Sequence, residues 1–302
     1  MVLLTGCART RAHRQPSWPR HVLVAAQTWR LTVPETKSFG ASGLLLTTAG
    51  DLFVVNDREP VLYRVRFIPN SASADLARLN DYLTPARLAP LVPEKQWPFD
   101  CEGLAQDPQG RIYLCEEADR WILRFDPRTE QVERLEIDWS PVRHCFSSSD
   151  RNASFEGIAV GRGRLYLANE RNEGRILVID LETLRVIHGF VVRSRLPSLW
   201  TAHYSDLCWH GDALYVLMRE DRVVLQVDPR THRVRAEFDF REIEFDPENA
   251  YRLVYPFVGV MEGLAVDDTS IWLVTDNNGL GRVKYPDDPR PTLIRCRRPD
   301  AR

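Results

Sequence analysis

Side chains able to hold a proton, a cation or a hydrogen bond recur in pairs fourteen residues apart: Ser42 and Asn56, Glu102 and Glu116, Glu156 and Glu170, Asp206 and Glu220, Glu262 and Asp276. All but Ser42 and Asn56 are carboxylates. If the first members converge, four carboxylates about 6 Å apart repel by about 3 kcal/mol per pair at an effective dielectric of about 20. A bound cation, shared protons or arginines must offset that repulsion. Oxygen donors with no His or Cys at matching positions favour a hard ion, calcium before magnesium, with Glu102, Glu156, Asp206 and Glu262 as the ligands. Arg58, Arg120, Arg171 and Arg222 follow the second positions and are expected to satisfy that outer shell. The competing reading makes each acid a tie that accepts backbone N–H groups of its neighbour.

The elements that would position these pairs repeat with them. Ala41-Ser-Gly-Leu-Leu, Cys101-Glu-Gly-Leu-Ala, Phe155-Glu-Gly-Ile-Ala, Ser205-Asp-Leu-Cys and Met261-Glu-Gly-Leu-Ala start 50 to 60 residues apart. Each is followed by a polar turn and an alternating apolar run, which is a hairpin. A third strand follows in each copy (Val61–Val65, Ile122–Phe125, Ile176–Ile179, Val224–Val227, Gly281–Tyr285), and a fourth completes the unit at Val132–Ile137, Val186–Val191 and Val234–Phe238. Four antiparallel strands repeated radially make an all-β propeller of five blades, with six as the alternative. Ala72–Leu83 reads as one short surface helix, and Thr28–Val33 is expected to pair with Thr292–Cys296 and close the ring. Glycine follows the acid, or Ser42, in four of the five copies, as close backbone approach at an axis requires.

In a propeller the first strand of each blade lines the channel, so the first members form an inner ring. Glu116, Glu170, Glu220 and Asp276 then stand around it as candidate substrate contacts. The long links Ser140–Phe155, Arg193–Ser205 and Arg241–Met261 open on the same face. With Gln96–Phe99 they bring Trp97, Phe99, Phe146, Trp200, Tyr204, Tyr251, Tyr255 and Phe257 to the mouth, together with Arg143, His144, Arg151, Arg195, His203 and Arg252. Aromatic walls and basic groups over an acidic floor suit an anionic organic ligand bridged by a cation. Arg143, Arg195 and Arg252 are the candidate anion holders, and His144 and His203 the candidate proton-transfer groups. Ordinary loop packing and solvated charge is the bland alternative.

The chain has 302 residues, 44% of them hydrophobic, and a formal net charge of -2, so it can bury a sizeable core. No run of apolar residues is long enough for a membrane-spanning helix. The absence of P-loop and dinucleotide fingerprints, and a pI near 6.4, argue against nucleotide and nucleic-acid partners. Residues 1–20 read as a basic tail and 21–302 as a single propeller domain, expected to be a monomer. Leu4-Thr-Gly-Cys7 matches the cleavage box of a bacterial lipoprotein, lipidated at Cys7, although no apolar leader precedes it. A ragged cytoplasmic N-terminus is the other reading. The remaining cysteines, Cys101, Cys115, Cys145, Cys208 and Cys296, contain no C-x-x-C pair. They allow one disulfide, with Cys145 as the candidate, but read mostly as buried small side chains.

Asp100-Cys-Glu-Gly-Leu-Ala with Gly110, Tyr113 and Glu116-Glu117 resembles the bacterial phytase-like β-propeller family described as having esterase-like activity. Phe155-Glu-Gly-Ile-Ala through Asn169-Glu170-Arg171 resembles that family's second segment. The order of inner residues also resembles the SdiA-regulated propeller family. The resemblance spans about Ser38 to Tyr285, while Asp206-Leu207 departs from the acid-glycine pattern. It implies a calcium-associated propeller at the bacterial envelope that hydrolyses phosphate or other esters, with a small anionic ester or an envelope component as partner. Two further functions share the architecture. One is a non-catalytic ligand- or protein-binding scaffold; the other is a metal-dependent sugar lactonase, against which the glutamate-rich ring argues.

Overall fold

The structure is a computed structural model that describes residues 18–33, 39–80, 82–92, 99–147, 150, 153–170, 174–196, 203–253, 255 and 258–299. Two strands, β1 (Arg20–Val22) and β2 (Ala25–Thr32), precede the repeats. Blade 1 is β3 (Ala41–Leu46), β4 (Leu52–Asn56), β5 (Glu59–Phe67) and β6 (Ser73–Leu79), after which comes a single turn of helix, α1 (Pro85–Leu88). Blade 2 is β7 (Cys101–Gln106), β8 (Ile112–Glu116), β9 (Trp121–Asp126) and β10 (Gln131–Arg134). Blade 3 is β11 (Phe155–Gly161), β12 (Arg164–Asn169), β13 (Arg175–Asp180) and β14 (Arg185–Phe190). Blade 4 is β15 (Asp206–His210), β16 (Ala213–Met218), β17 (Val223–Val227) and β18 (Val234–Asp239), followed by α2 (Arg241–Glu244). Blade 5 is β19 (Met261–Val266), β20 (Ser270–Thr275) and β21 (Thr292–Arg297), completed by β2 from the chain start, which pairs antiparallel with β21.

Five blades, not six, close the ring. The innermost strands β3, β7, β11, β15 and β19 each contact the next, and β19 returns to β3. The expected closure by Thr28–Val33 and Thr292–Cys296 is present as the β2–β21 ladder. Outer edges are covered where they would invite association: β2 also pairs parallel with β6, and β1 pairs parallel with β18. Each sheet is sandwiched between its neighbours, so second strands are apolar on both faces. All of Ala213–Met218 is buried, whereas the outer strand β14 alternates between covered and exposed positions.

Two expectations fail locally. Residues 73–79 form the fourth strand of blade 1 rather than a helix. Ala74 and Leu76 alternate onto the buried face and pair with β5, so tertiary packing overrides the helical propensity of an Ala- and Leu-rich segment. Gly281–Tyr285 is not the third strand of blade 5. Only Arg282 makes a bridge, to Tyr251, and the segment rich in Pro286, Pro289 and Pro291 carries the chain outward before β21 enters the sheet. The five cysteines of the repeats are free, and all but Cys208 are buried.

Glycine at the axis is required by backbone contact. A Cβ on Gly103 would lie 2.8 Å from Ile158 N, and one on Gly157 would lie 2.5 Å from Asp206 Cα and 2.7 Å from Leu207 N. The obstacle is backbone of the adjoining blade, which cannot rotate away. Gly157→Ala is therefore expected to cost about 3 kcal/mol, the upper end of ordinary overpacking, read as a lowered urea midpoint. A midpoint unchanged from the parent would show that the blades can part at the axis without cost.

Candidate functional site

A β-bulge interrupts the start of the inner strand in every blade that carries the acid-glycine or Ser42-Gly43 pair: Ala41/Leu44, Cys101/Leu104, Phe155/Gly157 and Met261/Gly263. The extra residue of each bulge is or includes Ser42, Glu102, Glu156 or Glu262, and bulges re-aim side chains in this way. β15 has no bulge, and Asp206 pairs in regular register with Leu217. Its carboxylate accepts N–H groups from Leu207 at 2.8 Å and, in the adjoining blade 5, from Leu264 at 2.7 Å. Asp206 thus ties the backbone of its own blade to that of the next. The missing glycine was the visible sign of this.

The outer positions divide in two. Asn56, Glu116 and Asp276 cap turns: Asn56 Oδ1 accepts Arg58 N at 2.9 Å, Glu116 Oε2 accepts Asp119 N at 2.8 Å, and Asp276 Oδ1 accepts Asn278 N at 2.8 Å. Glu170 and Glu220 instead belong to the centre, where they meet Arg219. The Arg219 guanidinium donates to Glu170 Oε1 at 2.7 Å, to Glu220 Oε1 at 3.0 Å and to Glu262 Oε1, joining blades 3, 4 and 5. Burial opposes its charge, but the surrounding carboxylates of Glu262, Glu156, Glu220 and Glu170 outweigh it and hold Arg219 ionised. The arginines expected to do this have other partners. Arg58 lies 3.6 Å from Asp57, Arg120 donates to Ser147 O at 3.0 Å, Arg222 binds Glu244 at 2.8 Å, and Arg171 lies outside the described residues.

Toward blades 2 and 3 the carboxylates are arranged differently. Asp100, Glu102 and Glu117 form one triad and Glu117, Glu156 and Glu170 a second, each with one oxygen per residue within 4.8 Å of the others. Burial, followed by the charges of Glu117, Asp100 and Glu262, pushes Glu102 well above the usual carboxylate range. Burial followed by Glu170, Glu102 and Glu117 does the same to Glu156. Burial raises Glu262 to about 8 against the opposing pull of Arg219. Glu117 is fixed from behind: its Oε1 accepts Ser154 N at 2.7 Å, and Ser154 Oγ donates to the Glu117 carbonyl at 2.9 Å. Glu262 Oε2 is buried without a hydrogen-bond partner among the described residues. An all-oxygen, carboxylate-rich set with its orientation fixed by outer hydrogen bonds fits a hard divalent cation, with Asp100, Glu102, Glu117, Glu156 and Glu170 as the holders.

His203 stands at the rim of this centre, 23% exposed, with Nδ1 3.3 Å from Glu220 Oε1 and 3.8 Å from Glu170 Oε1. The contact with Glu220 raises its pKa above the ordinary histidine value, despite burial. Burial pushes Glu220 upward, but His203 and Arg219 prevail and keep it below the usual range.

Among the described residues, the following mouth candidates do not join the centre. His144 is exposed on a 3-10 turn, its Nε2 3.5 Å from Cys145 Sγ, and Arg143 beside it is exposed too. Arg195 is directed to the outer edge of blade 4, where its backbone N–H binds Glu237 at 2.7 Å and its guanidinium meets the Trp18 carbonyl. Arg252 lines a separate cavity of about 290 Å³ with Glu244, Phe245 and Leu253. Tyr204 and Tyr251 are core residues: Tyr204 Oη donates to Val192 O at 2.7 Å, and Tyr251 Oη to Arg290 O at 2.8 Å. Phe146 packs on Trp139 and Phe155, and Tyr255 is 60% exposed. Trp97, Arg151, Trp200 and Phe257 lie outside the described residues, as does Cys7.

The protein is thus a five-bladed propeller whose axis carries a carboxylate cluster half-neutralised by one arginine. It belongs to the Phytase-like family, described as "Esterase-like activity of phytase", which it matches over residues 37–279. No curated protein is significantly similar to the chain. Among solved structures, the glutaminyl cyclase of Myxococcus xanthus is similar at 15% identity and a TM-score of 0.58, over 93% of this chain and 98% of that one. At that identity the likeness concerns the fold alone. Selenomethionine-substituted virginiamycin B lyase from Staphylococcus aureus (14% identity, TM-score 0.42, 85% and 70% coverage) and Saccharomyces cerevisiae Sqt1 (12%, 0.42, 86% and 60%) are more distant. Among the described residues no helix is long and apolar enough to cross a membrane.

Proposed function

We propose that the chain is a cation-dependent hydrolase of small anionic esters, phosphoesters foremost, with calcium held by Asp100, Glu102, Glu117, Glu156 and Glu170. The observation that carries this is the charge asymmetry of the axis. Arg219 answers the acids of blades 3 to 5, while those of blades 2 and 3 stand together with oxygens within 4.8 Å. A bound cation would polarise a phosphoryl or acyl oxygen and lower the pKa of water. The protein's own groups supply the rest. Arg219 holds Glu170 and Glu262 in place, and His203, its pKa raised by Glu220, stands where it can give a proton to a departing alkoxide. The family description supports ester hydrolysis as the activity. The Leu4-Thr-Gly-Cys7 box supports placement at the bacterial envelope through a lipid on Cys7.

The test is calorimetric titration of calcium into chelator-treated protein, followed by hydrolysis assays on alkyl phosphates and carboxylic esters. Calcium affinity is expected to fall at least tenfold in Glu117→Gln and Glu156→Gln, with calcium-dependent turnover lost alongside it. Folded protein showing neither calcium binding nor turnover would leave the carboxylates as ties between blades and favour the scaffold reading.

A further inference from the structure

The inner strands run from the carboxylate ring to the opposite face of the propeller, where the β11–β12 hairpin turns through Arg162 and Gly163. At the seam of blades 3 and 4 on that face, Arg162, Arg164, Tyr166, Pro229 and Arg230 line a cavity of about 140 Å³. None of the three arginines has a carboxylate within ion-pairing distance among the described residues. The acids nearby are hydrogen-bonded elsewhere, and Asp180 meets the charge of Arg164 only at longer range. Asp180, opposite Arg164 in the ladder, uses Oδ1 to accept the Thr183 N–H and hydroxyl at 2.8 and 2.9 Å. Asp228 binds Arg235 at 2.8 Å and accepts the Arg230 N–H at 2.8 Å.

The positive field extends beyond the cavity. His188 and His232, from blades 3 and 4, place their Nε2 atoms 3.1 Å apart. Burial and then the neighbouring His232 lower the pKa of His188, and Arg164 adds to this; burial and Arg164 also lower His232 against the pull of Asp228. The platform beneath is packed rather than loose. Trp209 stacks on Tyr166 at 5.6 Å and 21° and lies 5.9 Å under the Arg162 guanidinium. Gly161 makes room for it, since a Cβ there would stand 2.0 Å from the indole.

We propose that this cavity binds a phosphate dianion, free or as the terminal group of a phosphomonoester. Guanidinium forks match the oxygens of a tetrahedral oxyanion bidentately, and three of them around a cavity with room for one such group leave a positive excess that a dianion neutralises. The site is independent of the hydrolase reading, because it lies on the other face and uses none of the ring residues.

The test uses the full chain stripped of divalent ions, so that cation-bridged binding at the ring is absent, with inorganic phosphate as the titrant in chloride buffer. The expected result is 1:1 binding that weakens at least tenfold in the double variant Arg164→Gln/Arg230→Gln. Binding should be unchanged in Arg185→Gln, an exposed arginine of the same blade, and in Glu156→Gln. The melting temperature of the parent, but not of the double variant, should rise with phosphate at constant ionic strength. Co-sedimentation with phosphatidic acid vesicles separates the sources. Vesicle binding displaced by free phosphate identifies a headgroup as the natural occupant, and absence of vesicle binding with phosphate binding retained identifies the free anion. No phosphate binding, equal binding by the double variant, or loss of binding in Glu156→Gln overturns the proposal.

Discussion

Arg219→Met should lower the thermal midpoint by on the order of 10 °C at pH 8, and by much less at pH 5. The substitution keeps most of the side-chain volume and removes the one charge shared by Glu170, Glu220 and Glu262. Breaking a buried ion network from one side typically costs about 3–5 kcal/mol, and each kcal/mol moves the midpoint of a chain this size by roughly 2–4 °C. The pH dependence follows from the direction of the shifts. A carboxyl whose folded pKa is raised favours the folded state while protonated, and that contribution disappears as pH rises through the folded pKa. Glu220, which Arg219 helps to hold below the usual range against burial, moves upward when the cation is removed, so its share of the deficit opens as pH rises from 5; Glu262, at about 8 even beside Arg219, adds its share only as pH passes 8. For the same reason the parent, stripped of divalent ions, should lose stability as pH rises toward 8 through the raised pKa values of Glu102, Glu156 and Glu262. Added calcium should recover most where those groups are ionised. Scanning fluorimetry of both proteins at pH 5, 6.5 and 8, with and without calcium, checks the set. A midpoint in Arg219→Met equal to that of the parent at pH 8 would mean the three carboxylates carry protons and Arg219 contributes little.

Arg219 shows how this site is built. The repeat made the fold legible: the acid-glycine pairs, the hairpins and the fourteen-residue spacing all follow from five copies of one blade. The chemistry lies in departures from the repeat. One position before the outer shell, the copies read Val55, Cys115, Asn169, Arg219 and Thr275, and the single charge in that column is the group that holds the axis together. Two positions before the inner acid they read Gly40, Asp100, Ser154, Tyr204 and Val260, and one after the outer shell Asp57, Glu117, Arg171, Asp221 and Asn277. Asp100 and Glu117 join the carboxylate cluster from columns that aligning for similarity averages away. Side chains on the links have no repeat to place them, so loop membership alone puts Arg195 and Arg252 at the mouth. Their actual partners, Glu237 for Arg195 and the α2–β19 link for Arg252, depend on how each link crosses its own blade.

His203 came to the centre from the same links. In the hydrolase reading it gives the sharper kinetic signature. His203→Gln should reduce kcat on an alkyl phosphate or alkyl ester by about 10²–10⁴-fold, the usual contribution of a positioned general acid. Calcium affinity should barely change, because the histidine contacts Glu220 and Glu170 from the rim and is not among the carboxylate triads. With a nitrophenyl leaving group, which departs without a proton, the same variant should lose far less. The contrast separates proton transfer from a general disturbance of the site, since a distorted site would penalise both substrates alike. The pH profile supplies a second check. An acid must be protonated to act, so activity on the alkyl substrate should decline as pH rises through the His203 pKa, which the Glu220 contact raises above the ordinary value. Glu220→Gln removes that support, and the alkaline limb should move to lower pH with the plateau largely kept. A limb that stays in place would dissociate His203 from the reaction and assign the limb to another group, with Glu262 at about 8 the first to examine.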